Sequence, residues 1–91
     1  MAPKRVHVLV TGRVQGVNFR YYTLLQANRL GVRGWVRNLH DGRVEALFEG
    51  EEAAVDDIVT WCHTGPRSAR VDRVDALPET YTGEFRGFEI E

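Results

Sequence analysis

Arg20 stands in a costly place for a cation, at the start of a segment, Phe19 to Leu30, that reads as a helix. The helix dipole is positive at that end, so an arginine there costs about 0.3–1 kcal/mol unless something negative is bound beside it. The second helical segment does the opposite and opens on Glu51 and Glu52. Just before Arg20 runs Gly12-Arg13-Val14-Gln15-Gly16-Val17-Asn18-Phe19, whose glycines let successive backbone N–H groups turn toward one point. Such a nest feeding a helix N-terminus is an anion site, and a guanidinium adds a planar fork matched to phosphate or carboxylate. Taken alone, the pattern equally suits an ordinary strand-to-helix loop with an exposed arginine, because glycine loops are common. A nucleotide-binding loop fits less well. Without a Gly-Lys-Ser/Thr run there is no lysine for terminal phosphates and no hydroxyl for magnesium.

Asn38 is the second residue whose type and place could do chemistry. It closes a strand just before Asp41-Gly42, and its amide carries a separate donor and acceptor that can hold a water. The local alternative is a hydrogen bond to nearby turn backbone, a common habit of Asn. Other conspicuous residues read as structure. Cys62 falls on the apolar stripe of the second helix and reads as a packed thiol. His7, His40 and His63 lack metal-ligand spacing, so no metal site is expected. Asp56 and Asp57 are helix neighbours that point in different directions, a solvated pair. Trp35 and Trp61 read as packing, and Arg13 and Arg37 as surface residues that aid capture of anions.

The elements that must position Arg20 and Asn38 follow from periodicity. Val6, Val8 and Val10 alternate with His7 and Leu9 as a strand that Gly12 ends, after a loose tail over residues 1–4. Phe19, Tyr22, Thr23, Ala27 and Leu30 make a helical stripe, Leu24 falls off it, and Gly31 supplies the C-cap. Trp35 to Leu39 and Val44 to Glu49 flank Asp41-Gly42 as a hairpin, with Val44, Ala46 and Phe48 on the second strand's apolar face. Ala54, Val55, Ile58 and Cys62 mark the second helix, stopped by Gly65-Pro66. Val71 with Val74 suggests another strand, and Phe88 with Ile90 a last one.

That order, βαββαβ with an extra C-terminal strand, predicts an α+β ferredoxin-like two-layer sandwich. The sheet should be mostly antiparallel, with two helices on one face. A strand–helix–strand crossover restores the chain direction, so the first two strands should be parallel. The loop near residues 12–20 and the turn near 38–42 should then meet at one end of the sheet.

Composition bounds the rest. With 91 residues, a hydrophobic fraction of 43% and a formal net charge of −1, the chain reads as one globular domain over 1–91. It has no bulk positive field for nucleic acid or anionic membrane. One cysteine excludes an internal disulfide framework and fits a reducing compartment. Lys4 and Arg5 precede an apolar stretch too short for a signal peptide, and no segment approaches a membrane span. A cytoplasmic monomer is the expectation.

Two stretches, Gly12-Arg-Val-Gln-Gly-Val-Asn-Phe-Arg20 and Gly34-Trp-Val-Arg-Asn-Leu-His-Asp-Gly42, resemble the paired signatures of the acylphosphatase family. The resemblance extends through Val44 to Gly50, Gly65-Pro66 and Ala69 to Val74. Asn18 occupies a position the family leaves open, and Arg67-Ser68 replaces the Pro-Gly type of pair in a loop without assigned chemistry. The resemblance implies hydrolysis of acyl phosphates to carboxylate and inorganic phosphate, with no metal or cofactor. By motif position, Arg20 would bind the phosphate and Asn38 would orient the water. The backbone amides of Gln15, Gly16, Val17, Asn18, Phe19 and Arg20 would complete the cradle.

Two rival functions stay in view. Ferredoxin-like sheets also stack RNA bases, but Glu45-Ala46-Leu47-Phe48-Glu49 lacks the aromatic-and-glycine motif this requires on the third strand. A non-catalytic module binding carbamoyl phosphate or another small anion would need Arg20, whereas Asn38 makes better sense where water must be placed.

Overall fold

Alternation of Val6, Val8 and Val10 with His7 and Leu9 builds the central strand of the computed structural model, which describes residues 2–91. This strand, β1 (Pro3–Arg13), turns all three valines into the core, each burial stabilising by about 1.5–3 kcal/mol. It is longer at both ends than the valines predict. Pro3 and Lys4 are not a loose tail: they pair with Glu51 and Gly50, and the Lys4 ammonium lies 2.6 Å from Asp56. The neighbouring strand runs far enough to offer them backbone partners. Met1, at the head of the expected tail, lies outside the described residues.

Gly12 does not end β1 either. The register against the neighbouring strand shifts between Thr11 and Gly12, and Arg13 still pairs with Arg70. At φ +140°, a Cβ on Gly12 would stand 2.2 Å from the Arg70 carbonyl oxygen. Glycine is required here by a bulge and a close strand approach.

The first helix, α1 (Phe19–Leu30), has the bounds its sequence predicts, with Gly31 left-handed at its end and donating its N–H to the Ala27 carbonyl. Its buried face is narrower than the expected stripe. Phe19, Thr23 and Ala27 are buried, Tyr22 is 42% exposed, and Leu24 packs partly against the core. Tyr22 and Leu24 lie on opposite flanks of that face, and the core reaches the Leu24 side.

The chain continues through β2 (Arg33–Asn38), β3 (Val44–Glu51), α2 (Glu52–Cys62), β4 (Arg70–Glu79) and β5 (Phe88–Ile90). The sheet order is β4-β1-β3-β2-β5. Every neighbouring pair is antiparallel except β2 and β5. The predicted ferredoxin-like architecture is therefore present, with the extra strand on the β2 edge. Both β1 and β2 run antiparallel to β3, so they are parallel to each other. Valines of β1, β2 and β3 meet Ala27, Val55 and Ile58 of the helices in one core on one sheet face. No helix among the described residues is long and apolar enough to cross a membrane.

The turn between β2 and β3 is a three-residue loop, residues 40–42, closed by Leu39 and Arg43. Leu39 N–H donates to the Arg43 carbonyl at 2.8 Å, and Gly42 N–H to the Leu39 carbonyl at 3.2 Å. The Asp41 carboxylate braces it by accepting the Arg43 N–H at 3.0 Å and its Nε at 2.8 Å.

Residues 80–87 connect β4 to β5 on the opposite edge of the sheet, and Glu49 holds this strap. Only 2% exposed, the Glu49 carboxylate accepts the Thr82 N–H at 2.9 Å and hydroxyl at 3.0 Å. It also accepts the Gly83 N–H at 3.1 Å and Arg5 at 3.1 Å. Burial by itself would raise its pKa, but these bonds outweigh it and hold the group below its ordinary 4.5. A depressed carboxylate contributes stability above its unfolded pKa that is lost as pH falls through the folded value. Glu49→Gln should thus cost about 2 kcal/mol at pH 7. In urea titrations, the deficit relative to wild type should shrink as pH drops below 4.5.

Candidate active site

Between β1 and α1, residues 14–18 form a loop pinned by apolar side chains. Val14, Val17 and Phe19 are buried, and the Val17 carbonyl accepts the Ser68 hydroxyl at 2.9 Å. With its side chains held inward, the loop leaves Gly16 and Asn18 exposed. Gly16 has φ +73° and Asn18 φ 62°. A Cβ on Gly16 would meet nothing within 4 Å, so the left-handed backbone and not space calls for glycine there. Left-handed residues alternating with others let successive amides face one side.

Those amides are unused. Among the described residues, no backbone N–H from Gln15 to Arg20 donates to a backbone or side-chain acceptor. Asn18 occupies the N-cap of α1, a role its residue type favours, yet its side chain makes no capping bond and no acidic residue stands in the first turn. The orphan donors of the helix start are therefore open to an anion. Arg20 adds to this positive end. Its only side-chain hydrogen bond among the described residues is a 3.3 Å contact from Nη1 to the main-chain oxygen of Glu91. Arg5, Arg37, Arg43, Arg70 and Arg73 are by contrast each paired with a carboxylate.

Asn38 reaches the same place from β2. Side chains alternate along a strand, so Asn38 shares the helix-side face with buried Val36, while Arg37 points the other way to Glu45 at 2.6 Å. The Asn38 side chain makes no hydrogen bond among the described residues, and the turn-bracing role its type allowed belongs to Asp41. Gly16, Asn18, Phe19, Arg20 and Asn38 line one pocket of about 170 Å³.

The predicted cradle is only partly drawn together in that pocket. Gln15 and Val17 do not line it: Val17 packs into the core and the Gln15 side chain turns to the β2–β3 hairpin. His40 is exposed in the hairpin loop and also lies outside the lining. Sequence reasoning missed Val14, Tyr21 and Ile90, which complete the wall. Alternation with Phe88 could place Ile90 on a strand, but only the pairing of Ile90 with Val36 puts that strand beside β2. No acidic side chain lines the pocket. Cys62 is fully buried on α2, and burial pushes its thiol up to about 12, which keeps it protonated and unreactive.

The acylphosphatase family profile matches residues 6–90. The chain belongs to the acylphosphatase family. A protein named acylphosphatase from Rubrobacter xylanophilus is 62% identical over 87 residues, spanning 96% of this chain and 79% of its own. One from a Roseiflexus species is 59% identical, spanning 94% and 92%. The crystal structure of acylphosphatase from Bacillus subtilis superposes with a TM-score of 0.93 at 34% identity, covering 97% of this chain and 98% of that one. The family match extends through β5, the strand that carries Ile90.

Proposed function

We propose that this protein hydrolyses the carboxyl–phosphate anhydride bond of acyl phosphates, with Arg20 binding the phosphate and Asn38 orienting the attacking water. The observation that carries the reading is the pocket in which an arginine with no acidic side chain as partner, unused helix-start amides and an unbonded carboxamide converge. Membership of the acylphosphatase family supports the reaction class. The backbone amides of residues 15–20 serve as the phosphate cradle, those of Gly16, Asn18, Phe19 and Arg20 in the pocket wall itself. Inorganic phosphate is the second product. The acting unit is one domain over residues 1–91, a cytoplasmic monomer.

The chemistry suits what these residues can do. Water attacks phosphorus, the P–O bond to the acyl group breaks, and the electron pair leaves with the carboxylate. A carboxylate is a good leaving group, so no strong general acid is needed. A loose phosphoryl-transfer transition state is served by positioning and by charge on the equatorial oxygens. The water's proton passes to a phosphate oxygen of the substrate. His40 is the nearest protein base in sequence but stands outside the pocket lining. Replacing it should therefore change little: His40→Gln is expected to keep kcat within about threefold across the pH profile. A loss of several orders of magnitude would assign it the proton.

Steady hydrolysis of acetyl phosphate in excess chelator tests the reading. Release of acetate and phosphate at an undiminished rate supports it. Phosphate binding without turnover would leave only an anion-binding module.

A further inference from the structure

Gln15 opens the proposed cradle, yet its side chain does work elsewhere. Its Nε2 lies 2.6 Å from the Leu39 carbonyl oxygen and 2.9 Å from that of Arg43. Both neighbours are acceptors, so the group facing them is the NH2, and both of its protons are engaged. These two carbonyls belong to the residue pair that closes the β2–β3 hairpin, where Leu39 N–H also donates to the Arg43 carbonyl. Asn38 directly precedes Leu39, and Gly16 directly follows Gln15. The side chain is partly buried, which shields the two bonds from competing water.

No other side-chain hydrogen bond among the described residues joins residues 14–18 to the hairpin. Asp41 and Arg43 bond each other within the turn, and Ser68 ties Val17 to a different loop. The cradle and the Asn38 carboxamide thus stand on separate elements that share the core and the strand ladder at Val44, and beyond that ladder one side-chain amide joins the loop to the hairpin end.

We infer that Gln15 is a positioning residue, which fixes the distance between the phosphate cradle and Asn38 and thereby the place of the attacking water relative to phosphorus. In-line attack needs the reacting atoms about 3–3.5 Å apart, and a displacement of about 1 Å can cost a hundredfold in rate. Without this bridge, the hairpin end beyond the Val44 ladder has no side-chain hydrogen bond to the cradle loop among the described residues. The inference rests on the reading of Arg20 and Asn38 given above.

Gln15→Leu removes both donors at similar volume, and Gln15→Glu keeps the shape while aiming acceptors at two carbonyls. Each should lower kcat for acetyl phosphate about tenfold or more, through a misplaced water. For Gln15→Leu, which adds no charge, the inhibition constant for inorganic phosphate should stay within about twofold of wild type, because the cradle amides and Arg20 are untouched. In an Asn38→Ala background, Gln15→Leu should lower kcat by no more than about a further twofold, since two changes acting on one step are not additive.

Phosphate inhibition weakening in step with kcat would overturn the inference and make Gln15 a mere support of the loop. So would full multiplication of the two kcat losses in the double variant. Should circular dichroism show Gln15→Leu unfolded, Gln15→Asn, whose shorter amide cannot span both carbonyls, carries the same comparison. An Asn38→Ala enzyme with undiminished kcat would remove the underlying reading. Normal turnover of Gln15→Leu beside a crippled Asn38→Ala would remove this inference alone.

Discussion

Arg20→Ala is expected to abolish measurable hydrolysis of acyl phosphates and to weaken binding of inorganic phosphate. Arg20 lines a pocket with no acidic side chain in its wall, and its one side-chain hydrogen bond is a long contact to the main-chain oxygen of Glu91. An arriving phosphate dianion therefore competes with no acidic side chain and meets helix-start amides that have no acceptor among the described residues. Loss of the charge-assisted bonds should weaken phosphate by about 1.5–3 kcal/mol, or roughly tenfold to hundredfold in the inhibition constant. The rate should fall further, by about 10³-fold or more, since transition-state charge on the transferring oxygens is what such an arginine stabilises. Competition by inorganic phosphate against acetyl phosphate, together with single-turnover rates, separates the two losses. Arg20→Lys should recover part of the binding but little of the rate, because an ammonium is a point charge without the planar fork. Wild-type turnover in Arg20→Ala would place the phosphate elsewhere.

Asn38→Ala should separate the two quantities in the other direction. The Asn38 side chain makes no hydrogen bond among the described residues, and Asp41 braces the turn without it, so thermal stability should shift by no more than about 0.5 kcal/mol. Phosphate should bind within about twofold of wild type, whereas kcat should drop about a hundredfold for want of a placed water. An interaction used mainly in the transition state lowers kcat and kcat/KM together and leaves ground-state binding alone. Equal losses of binding in Asn38→Ala and Arg20→Ala would mean that the two roles are assigned wrongly.

Much of the site was legible along the chain because its signals are local. The cation at a helix start, the glycines ahead of it and the Asn before an Asp-Gly turn depend on dipole and backbone preferences acting within about ten residues. The order of elements then constrained the ends: two strands joined through a helix run parallel, which brings the first loop and the hairpin to one end. Where expectation and structure part, the reason is pairing at a distance. Pro3 and Lys4 are strand because β3 continues to Glu51 opposite them. Gly12 is a bulge because β4 crowds it. Tyr22 is exposed because the core meets the other flank of α1.

Alternating valines and helical stripes determined by themselves the class of fold and the end of the sheet where Arg20 and Asn38 meet, while the roles proposed for that pair come from the resemblance of two glycine-bearing motifs to the acylphosphatase family. Only the folded molecule decided that Ile90 walls the pocket, that the Gln15 side chain spans to the hairpin, and that Glu49 anchors the strap leading to β5. Periodicity records which face of an element is apolar. It carries no record of which hydrogen-bond donor, far away in the chain, will find a particular carbonyl.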